Sequence, residues 1–463
     1  MNGEPQLIEE LKQRVKLFLA KRARHTGRIS RHSVRYTIFL GGAVCVALGS
    51  LAFARLAELM LAWNTRLVHA HWWSAFLLLP FGLAGLRWLT IRYAWQARGS
   101  GIPQIIAAMN LPAGSHAQAV LVSLFQSMWK VLLTAAGLLA GASIGREGPS
   151  VQVGAAIMWA WGDFWHEKMR MGPGFRSEAL IAAGAAGGLA AAFNTPLAGV
   201  VFAIEELGRG STVRWDRIVL SGVLTAGFLS LALIGNYSYF QLEKPILILN
   251  GAWGAVILCA LVGGVAGGLF SKTLIHGVPG LLPRRFRSLP AQHPIYTAFF
   301  CGLLVAILGL LAGGTTYGTG YDQAAALLNG QPADNHWFGI AKWAATVLSY
   351  FAGIPGGIFT PSLAIGAGVG DYVGMLFGGM AESRILVLIS MAAFLAAATQ
   401  APITASVIVM EMTHGQDTML YLLAATLIAS FVSRQFSPRP FYHAVAKHFR
   451  REAVAIEETQ KSG

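Results

Sequence analysis

Glu147, in the segment GREGP at 145–149, is the residue with the clearest chemical potential, because apolar stretches flank this segment on both sides. Burying a carboxylate at membrane depth is costly, so an ionisable residue there indicates a pathway for ions or protons. The structural alternative is an ion pair with the adjacent Arg146. Glu147 is predicted to be a functional charge that can bind and release a proton.

Three other short segments combine glycine or proline with polar residues inside apolar surroundings: GSGIP at 99–103, GGIFTP at 356–361 and SPRPFY at 437–442. Glycine and proline interrupt helices, and free backbone N–H groups at membrane depth are tolerated only inside protein or along a cavity. A helix N-terminus with unpaired N–H groups is a ready site for an anion. Three of the four segments could supply such a helix end, which favours an anion over a cation as the substrate.

An enzymatic reading rests on the segment GASIG at 141–145, which matches the G-x-S-x-G nucleophile motif around Ser143. That motif requires a strand before it and a helix after it. Instead, Gly137, Gly141 and Gly145 recur at every fourth position, which predicts a stripe for close helix packing. We expect no enzyme, and an intramembrane serine hydrolase using Ser143 is the alternative from another functional class.

Cofactor and metal chemistry have little support in the sequence. The histidines show no paired metal spacing such as H-E-x-x-H. The three cysteines, Cys45, Cys259 and Cys301, lie in apolar segments and are interpreted as packing residues. We expect neither a cofactor nor a metal ion.

The composition requires a membrane protein, since 55% of the 463 residues are hydrophobic and only 12% are charged. A membrane span needs about 20 apolar residues, and stretches of that kind recur along the chain, which predicts more than ten membrane segments. The net charge of +14 is explained by basic cytoplasmic loops and not by nucleic-acid binding, because Lys and Arg mark the cytoplasmic side of membrane proteins.

An internal repeat is visible when the chain is compared with itself. LAAAFNTPLAG at 189–199 aligns without a gap with LAAATQAPITA at 395–405, which places Pro196 over Pro402. The first copy runs into a basic loop that contains Arg209, Arg214 and Arg217, whereas the second runs into THGQD, which has no Lys or Arg. By the positive-inside rule the two copies have opposite orientations. The predicted fold is an all-α, polytopic membrane protein with two inverted-topology repeats and many discontinuous, tilted helices.

Two carboxylates stand at matching positions of the repeat, because Glu205 and Glu411 each follow the repeat proline by the same spacing. Such a matched pair is interpreted as structural, through capping or hydrogen bonding. Glu206 has no such counterpart, since it aligns with Met412. It therefore requires a local, functional reason.

The chain is divided accordingly into four parts. Residues 1–35 are predicted to be a cytoplasmic amphipathic segment, 36–235 the first transmembrane repeat, 236–443 the second, inverted repeat, and 444–463 a cytoplasmic tail. Basic residues at both ends place both termini in the cytoplasm.

The segments GSGIP, GREGP and GGIFTP, in this order, resemble those of the CLC family of chloride channels and proton-coupled chloride exchangers, and the resemblance runs from about residue 36 to 443. It implies a homodimer in which each subunit has its own pore in the lipid bilayer. It is closest to bacterial members of the inner membrane, because the chain after Tyr442 is too short for the regulatory domains of many eukaryotic members.

The resemblance also implies roles for the anion site. The hydroxyls of Ser100 and Tyr442 and the backbone N–H groups of Ile358 and Phe359 would coordinate the central anion. The serine in GSGIP argues for chloride, because the fluoride-selective branch has a different residue there.

Proton coupling is assigned in the same way to two glutamates. Glu147 would be the gating glutamate that competes with the anion and exchanges protons outside, and Glu206 would be the internal proton glutamate. The expected function is exchange of chloride for protons, and the alternative is a passive chloride channel of the same fold. After GSGIP the chain reads QIIAAM, where bacterial exchangers place acidic residues, so the sequence leaves the partner of Arg146 open.

Overall fold

The chain folds into packed helices that agree with the predicted all-α architecture. The computed structural model describes residues 4–169, 177–210, 217–235, 239–242, 253–376 and 382–462. No β-strand occurs in these ranges, and their β-type pairing is limited to two isolated bridges, Gly99 with Pro355 and Gly145 with Gly357. The loop segment 211–216, which contains Arg214, lies outside the described residues.

The helices of the first half begin and end as follows: α1 Glu4–Ala70, α2 Ser74–Tyr93, α3 Ile102–Met109, α4 His116–Leu121, α5 Leu124–Ala140, α6 Glu147–Met169, α7 Ser177–Phe193, α8 Pro196–Phe202 and α9 Arg217–Ile234. Those of the second half are α10 Trp253–Leu281, α11 Leu289–Gln292, α12 Pro294–Leu311, α13 Tyr321–Leu328, α14 Phe338–Phe351, α15 Phe359–Leu376, α16 Ser383–Thr399, α17 Pro402–Thr413, α18 Met419–Phe436 and α19 Phe441–Ser462.

Helices of full membrane length alternate with shorter ones, so the chain is a multi-pass membrane protein. Six described segments are long and apolar enough to cross a bilayer: Tyr36–Ala70, Ser74–Tyr93, His116–Ala140, Trp253–Leu281, Pro294–Leu311 and Gln416–Phe436. Four shorter apolar helices accompany them: Glu178–Phe193, Val219–Ile234, Ser383–Thr399 and Pro402–Thr413. Short helices leave N-termini inside the protein, where their free N–H groups need partners.

The prediction that Gly137, Gly141 and Gly145 form a stripe on one helix face is wrong. Helix α5 ends at Ala140, and Gly141 caps it with a left-handed backbone at φ 94°. Gly145 lies in the following loop and pairs with Gly357. The fourfold spacing reflects a helix end and a loop that both need glycine for backbone geometry.

Helices α8 and α17 are inverted counterparts that cap each other. The Glu411 carboxylate accepts hydrogen bonds from the N–H groups of Leu197 (3.1 Å) and Ala198 (2.6 Å) at the start of α8. The Glu205 carboxylate does the same for Ile403 (3.2 Å) and Thr404 (2.6 Å) at the start of α17. The C-terminal end of each helix therefore lies beside the N-terminal end of the other. The antiparallel pairing confirms the structural interpretation of the two matched glutamates.

Glu411→Ala is expected to destabilise the protein by about 2 kcal/mol, because two amides at the start of α8 lose a charged acceptor. The measurement is thermal unfolding in detergent. Glu411→Gln is the matched control, since its amide oxygen still accepts a hydrogen bond and its loss should be smaller. Equal stability of the wild type and Glu411→Ala would contradict the capping role.

The predicted division of the chain passes through continuous helices at both ends. Helix α1 runs through the boundary at 35, and α19 runs through the boundary at 443. The four-part division stays a prediction.

Candidate anion-binding site

Three of the four interrupted segments meet at one junction through backbone hydrogen bonds. Gly145 and Gly357 each donate an N–H to the other's carbonyl oxygen at 2.7 Å. Gly99 donates to Ile354 O and accepts from Gly356 N–H, both at 3.1 Å. Residues separated by more than 200 positions thus form a single centre inside the protein.

Glycine permits this close approach of the loops. A Cβ at Gly357 would lie 3.1 Å from the amide nitrogen of Gly148. A Cβ at Gly148 would collide with the hydroxyl of Ser100. Gly101 has a positive φ of 104° and precedes the first residue of α3, a conformation that favours glycine.

Three helices begin at this junction. Helix α3 begins at Ile102, α6 at Glu147 and α15 at Phe359. The first amides of a helix have no partner within the helix and carry the positive end of its dipole. The junction therefore concentrates neutral N–H donors, which suit an anion.

Two buried hydroxyls lie in the same place. The side chains of Ser100 and Tyr442 are almost fully buried, and their hydroxyls lie close to each other. Neither makes a hydrogen bond of regular geometry with any other described group. The Tyr442 ring stacks on Phe359, with ring centres 5.9 Å apart and planes 14° apart. Ile358, also buried, precedes Phe359 at the start of α15, so the four residues predicted for anion binding lie around one junction.

Glu147 begins α6 and is 0% exposed. Neither of its carboxylate oxygens has a hydrogen-bond partner among the described residues. The carboxylate lies against Gly145 at the paired loops. A buried carboxylate without donors is a costly arrangement, which is typical of a group that changes its protonation or its position.

The described hydrogen bonds of Arg146 are made to groups other than this carboxylate. Its Nη1 donates to Ala54 O at 2.6 Å and to Glu58 Oε1 at 3.0 Å. The partner that the sequence left open is therefore Glu58 of α1, and the described contacts contain no salt bridge between Arg146 and Glu147. A cavity of about 560 Å³ lies beside Arg146 and is lined also by Glu58, Tyr239 and Thr319.

Glu206 lies in a π-helical turn, Ala203–Leu207, directly after α8. Its side chain is 1% exposed, and its carboxylate oxygens accept no hydrogen bond from the described groups. The ring of His443 lies beside it, with Nε2 at 3.6 Å from Oε1. His443 directly follows Tyr442 in the chain. Through His443, Glu206 is therefore linked to the residue that supplies one hydroxyl of the candidate anion site. Sequence reasoning missed His443, although its position after SPRPFY could have revealed it.

Ser143 lacks the surroundings of a nucleophile. Its hydroxyl is hydrogen-bonded to Thr346 Oγ1 at 2.8 Å, and its amide donates to Ser349 Oγ at 2.9 Å. These contacts give it a packing role and supply no general base, which a serine nucleophile requires.

Helix α19 is attached to the loop before Ser100 by a charged cluster. Arg98 donates to both carboxylate oxygens of Glu452 at 2.8 and 2.9 Å, and His448 Nε2 lies 3.1 Å from Oε1. The side-chain amide of Gln104 donates to Arg98 O. The cluster therefore links the start of α3 to the helix that carries Tyr442. It could not be predicted from the sequence, because the partners are far apart in the chain.

Glu452→Gln is expected to remove the part of the free energy of unfolding that depends on the ionisation of this carboxylate. Burial raises the pKa of Glu452, but the His448 hydrogen bond and the Arg98 charge outweigh it and lower the pKa from 4.5 to about 2. Since the folded pKa is depressed, the stabilisation is complete above about pH 4.5 and is lost as the pH falls through about 2. Thermal unfolding should show a loss of about 1 to 2 kcal/mol across this window in the wild type and a flat profile in the variant. The same slope in both proteins would contradict the assignment.

Comparison with known proteins identifies similar sequences and folds. Residues 82–434 match the voltage gated chloride channel family. The H(+)/Cl(-) exchange transporter ClcA of Cronobacter sakazakii is 29% identical over 462 residues, which cover 94% of each chain. The protein of the same name from Citrobacter koseri is 31% identical, over 84% of this chain and 82% of its own.

Two solved structures share the fold. A CLC-type fluoride/proton antiporter superposes with a TM-score of 0.73 at 22% identity, over 88% of this chain and 97% of its own. A slow cyanobacterial Cl-/H+ antiporter superposes with a TM-score of 0.73 at 24% identity, over 90% of this chain and 98% of its own.

Proposed function

Because the chain belongs to the voltage gated chloride channel family, we propose that it exchanges chloride for protons across a bacterial inner membrane. The relatives from Cronobacter and Citrobacter, both named H(+)/Cl(-) exchange transporters, support this proposal. The observation that carries it is Glu147, a buried carboxylate with no hydrogen-bond partner among the described residues, at a junction of three helix N-termini.

Chloride is held in this proposal by neutral donors alone. The hydroxyls of Ser100 and Tyr442 and the amides of Ile358 and Phe359 replace part of the ion's hydration shell. A site that conducts must bind the ion firmly enough to dehydrate it and weakly enough to release it. Hydroxyls and amides meet both requirements, whereas a fixed cation would hold the ion too tightly.

Competition between Glu147 and chloride links the two fluxes. Both are monovalent anions attracted to the same amide dipoles. Protonation of Glu147 removes its charge and frees the position for chloride, and chloride in turn favours the protonated acid. Glu206, buried beside His443, exchanges protons with the cytoplasm.

A passive chloride channel is the alternative function for the same fold. The experiment that separates the two is the reversal potential of the reconstituted protein under opposed chloride and pH gradients. Exchange requires the potential to move with the pH gradient. A potential set by chloride alone would establish the channel.

The proposed assembly is a homodimer in which each subunit has its own pore. Helices α8, α9, α17 and α18 expose large apolar side chains that suit a second copy or lipid: Leu197, Phe228, Leu233, Ile403, Leu420, Leu427 and Phe431. We place both termini in the cytoplasm, with the inverted repeats at 36–235 and 236–443 between the flanking segments 1–35 and 444–463.

A further inference from the structure

His443 lies beside Glu206, close to the start of α19. Its Nε2 is 3.6 Å from Glu206 Oε1 and 3.2 Å from the main-chain oxygen of the same residue. The His443 side chain is 21% exposed, whereas that of Glu206 is 1% exposed. The imidazole ring therefore connects solvent with an acid that water hardly reaches.

Glu205, the other acid in this turn, is engaged elsewhere. Its two carboxylate oxygens accept the N–H groups of Ile403 and Thr404 at the start of α17. A proton on this carboxylate would weaken both hydrogen bonds, so Glu205 is poorly suited to carry protons. His443 is, by contrast, a titratable side chain that is both partly exposed and adjacent to the Glu206 carboxylate.

We propose that His443 relays protons between the cytoplasm and Glu206, an inference that rests on the chloride/proton exchange proposed above. A hydronium ion transfers a proton to Nδ1 of the neutral imidazole and becomes water, and the imidazolium releases its Nε2 proton to the ionised Glu206 Oε1. The ring is then neutral with Nδ1 protonated, and Glu206 is a neutral carboxylic acid. The same two transfers run in reverse when protons leave for the cytoplasm.

Histidine suits this step because an ordinary imidazole titrates at about pH 6.5, so both of its forms are accessible under physiological conditions. The distance of 3.6 Å is longer than a hydrogen bond, and such contacts commonly tighten in the working complex.

Opposite charges act on the ring. An ionised Glu206 carboxylate, whose Oε1 lies 3.6 Å from Nε2, attracts an imidazolium, whereas the charge of Arg209 repels it. Arg209 donates a hydrogen bond to Gln400 O at 3.3 Å. On α19 itself the exposed Lys447 lies one turn further on, and the packed helix α3 carries no titratable side chain.

The test is the ratio of proton flux to chloride flux in vesicles that contain His443→Gln. Glutamine keeps a polar side chain but cannot titrate, so proton flux should fall by about tenfold or more relative to chloride flux, since a positioned acid–base group contributes at least about 100-fold and water replaces part of it. Added imidazole should restore the proton flux. His448→Gln is the matched control, because His448 is on the same helix but contacts Glu452, and it should keep the wild-type ratio.

Two results would overturn the relay. One is a wild-type flux ratio in His443→Gln. The other is an equal loss of both fluxes that imidazole does not restore, because that pattern indicates a structural role. The wild-type protein separates this inference from the function on which it rests: chloride flux without proton flux in the wild type would refute exchange itself, whereas coupled wild-type fluxes with an unaffected variant would refute only the relay.

Discussion

Glu147→Gln is expected to abolish proton flux and to leave a chloride flux that no longer depends on pH. Glutamine has the shape of the protonated acid but carries no charge, so it never competes with chloride for the amides at the junction. Chloride flux should stay constant between about pH 4 and about pH 7, because the amide of glutamine does not ionise. Proton flux should fall by at least about 100-fold.

The measurement is parallel recording of chloride efflux and proton uptake from loaded vesicles at several pH values. Asp163→Asn is the control, since Asp163 is an exposed acid on the same helix α6 and should behave as the wild type. Chloride flux that keeps its pH dependence in Glu147→Gln would remove this residue from the gate.

Glu206→Ala is expected to stop proton transport while chloride flux continues. The alanine removes the buried acid beside His443 but leaves the hydroxyls and amides of the anion site in place. Proton flux should fall by at least about 100-fold, and chloride should then move without coupling.

Glu205→Gln is the matched control for this prediction, because the adjacent acid caps α17. It should lower the unfolding temperature and keep the ratio of proton to chloride flux. Intact coupling in Glu206→Ala, or uncoupling in the Glu205 variant alone, would assign the internal proton path to a different residue.

The sequence predicted the helical membrane fold and the inverted repeat, because both leave local or self-similar patterns. Glu205 and Glu411 were recognisable as a structural pair for the same reason, since each stands at the same distance after a repeat proline. The roles of the Ser100 and Tyr442 hydroxyls were predicted from the resemblance to a family. The composition of their segments alone predicted that an anion binds, but not which side chains bind it.

Contacts between distant segments could not be predicted. Lys130 and Lys342 are fully buried, and each donates to carbonyl oxygens of a loop: Lys130 to Gly99 at 3.1 Å, and Lys342 to Thr316 and Gly318 at 2.8 and 2.7 Å. The burial of a lysine cannot be predicted from the sequence, because the carbonyl oxygens that accept its hydrogen bonds are brought to it only when the chain folds.

A signal for part of this arrangement was nevertheless present. GTGYDQ at 318–323 resembles GSGIPQ at 99–104. A short helix begins in each segment, and a glycine of each segment lies next to a buried lysine. The helix end at Ala140 was missed for a different reason, since a glycine that caps a helix and a glycine that packs a helix face have the same spacing in the sequence.

The central claim is that chloride and the charged form of Glu147 exclude each other, and proton uptake on chloride binding tests it most directly. Chloride is added to the detergent-solubilised protein in weak buffer, and the pH change is recorded beside the heat of binding. The wild type should take up protons as chloride binds, and Glu147→Gln should bind chloride with no uptake from this residue. Chloride binding to the wild type without proton uptake, across the pH range in which exchange occurs, would contradict the account.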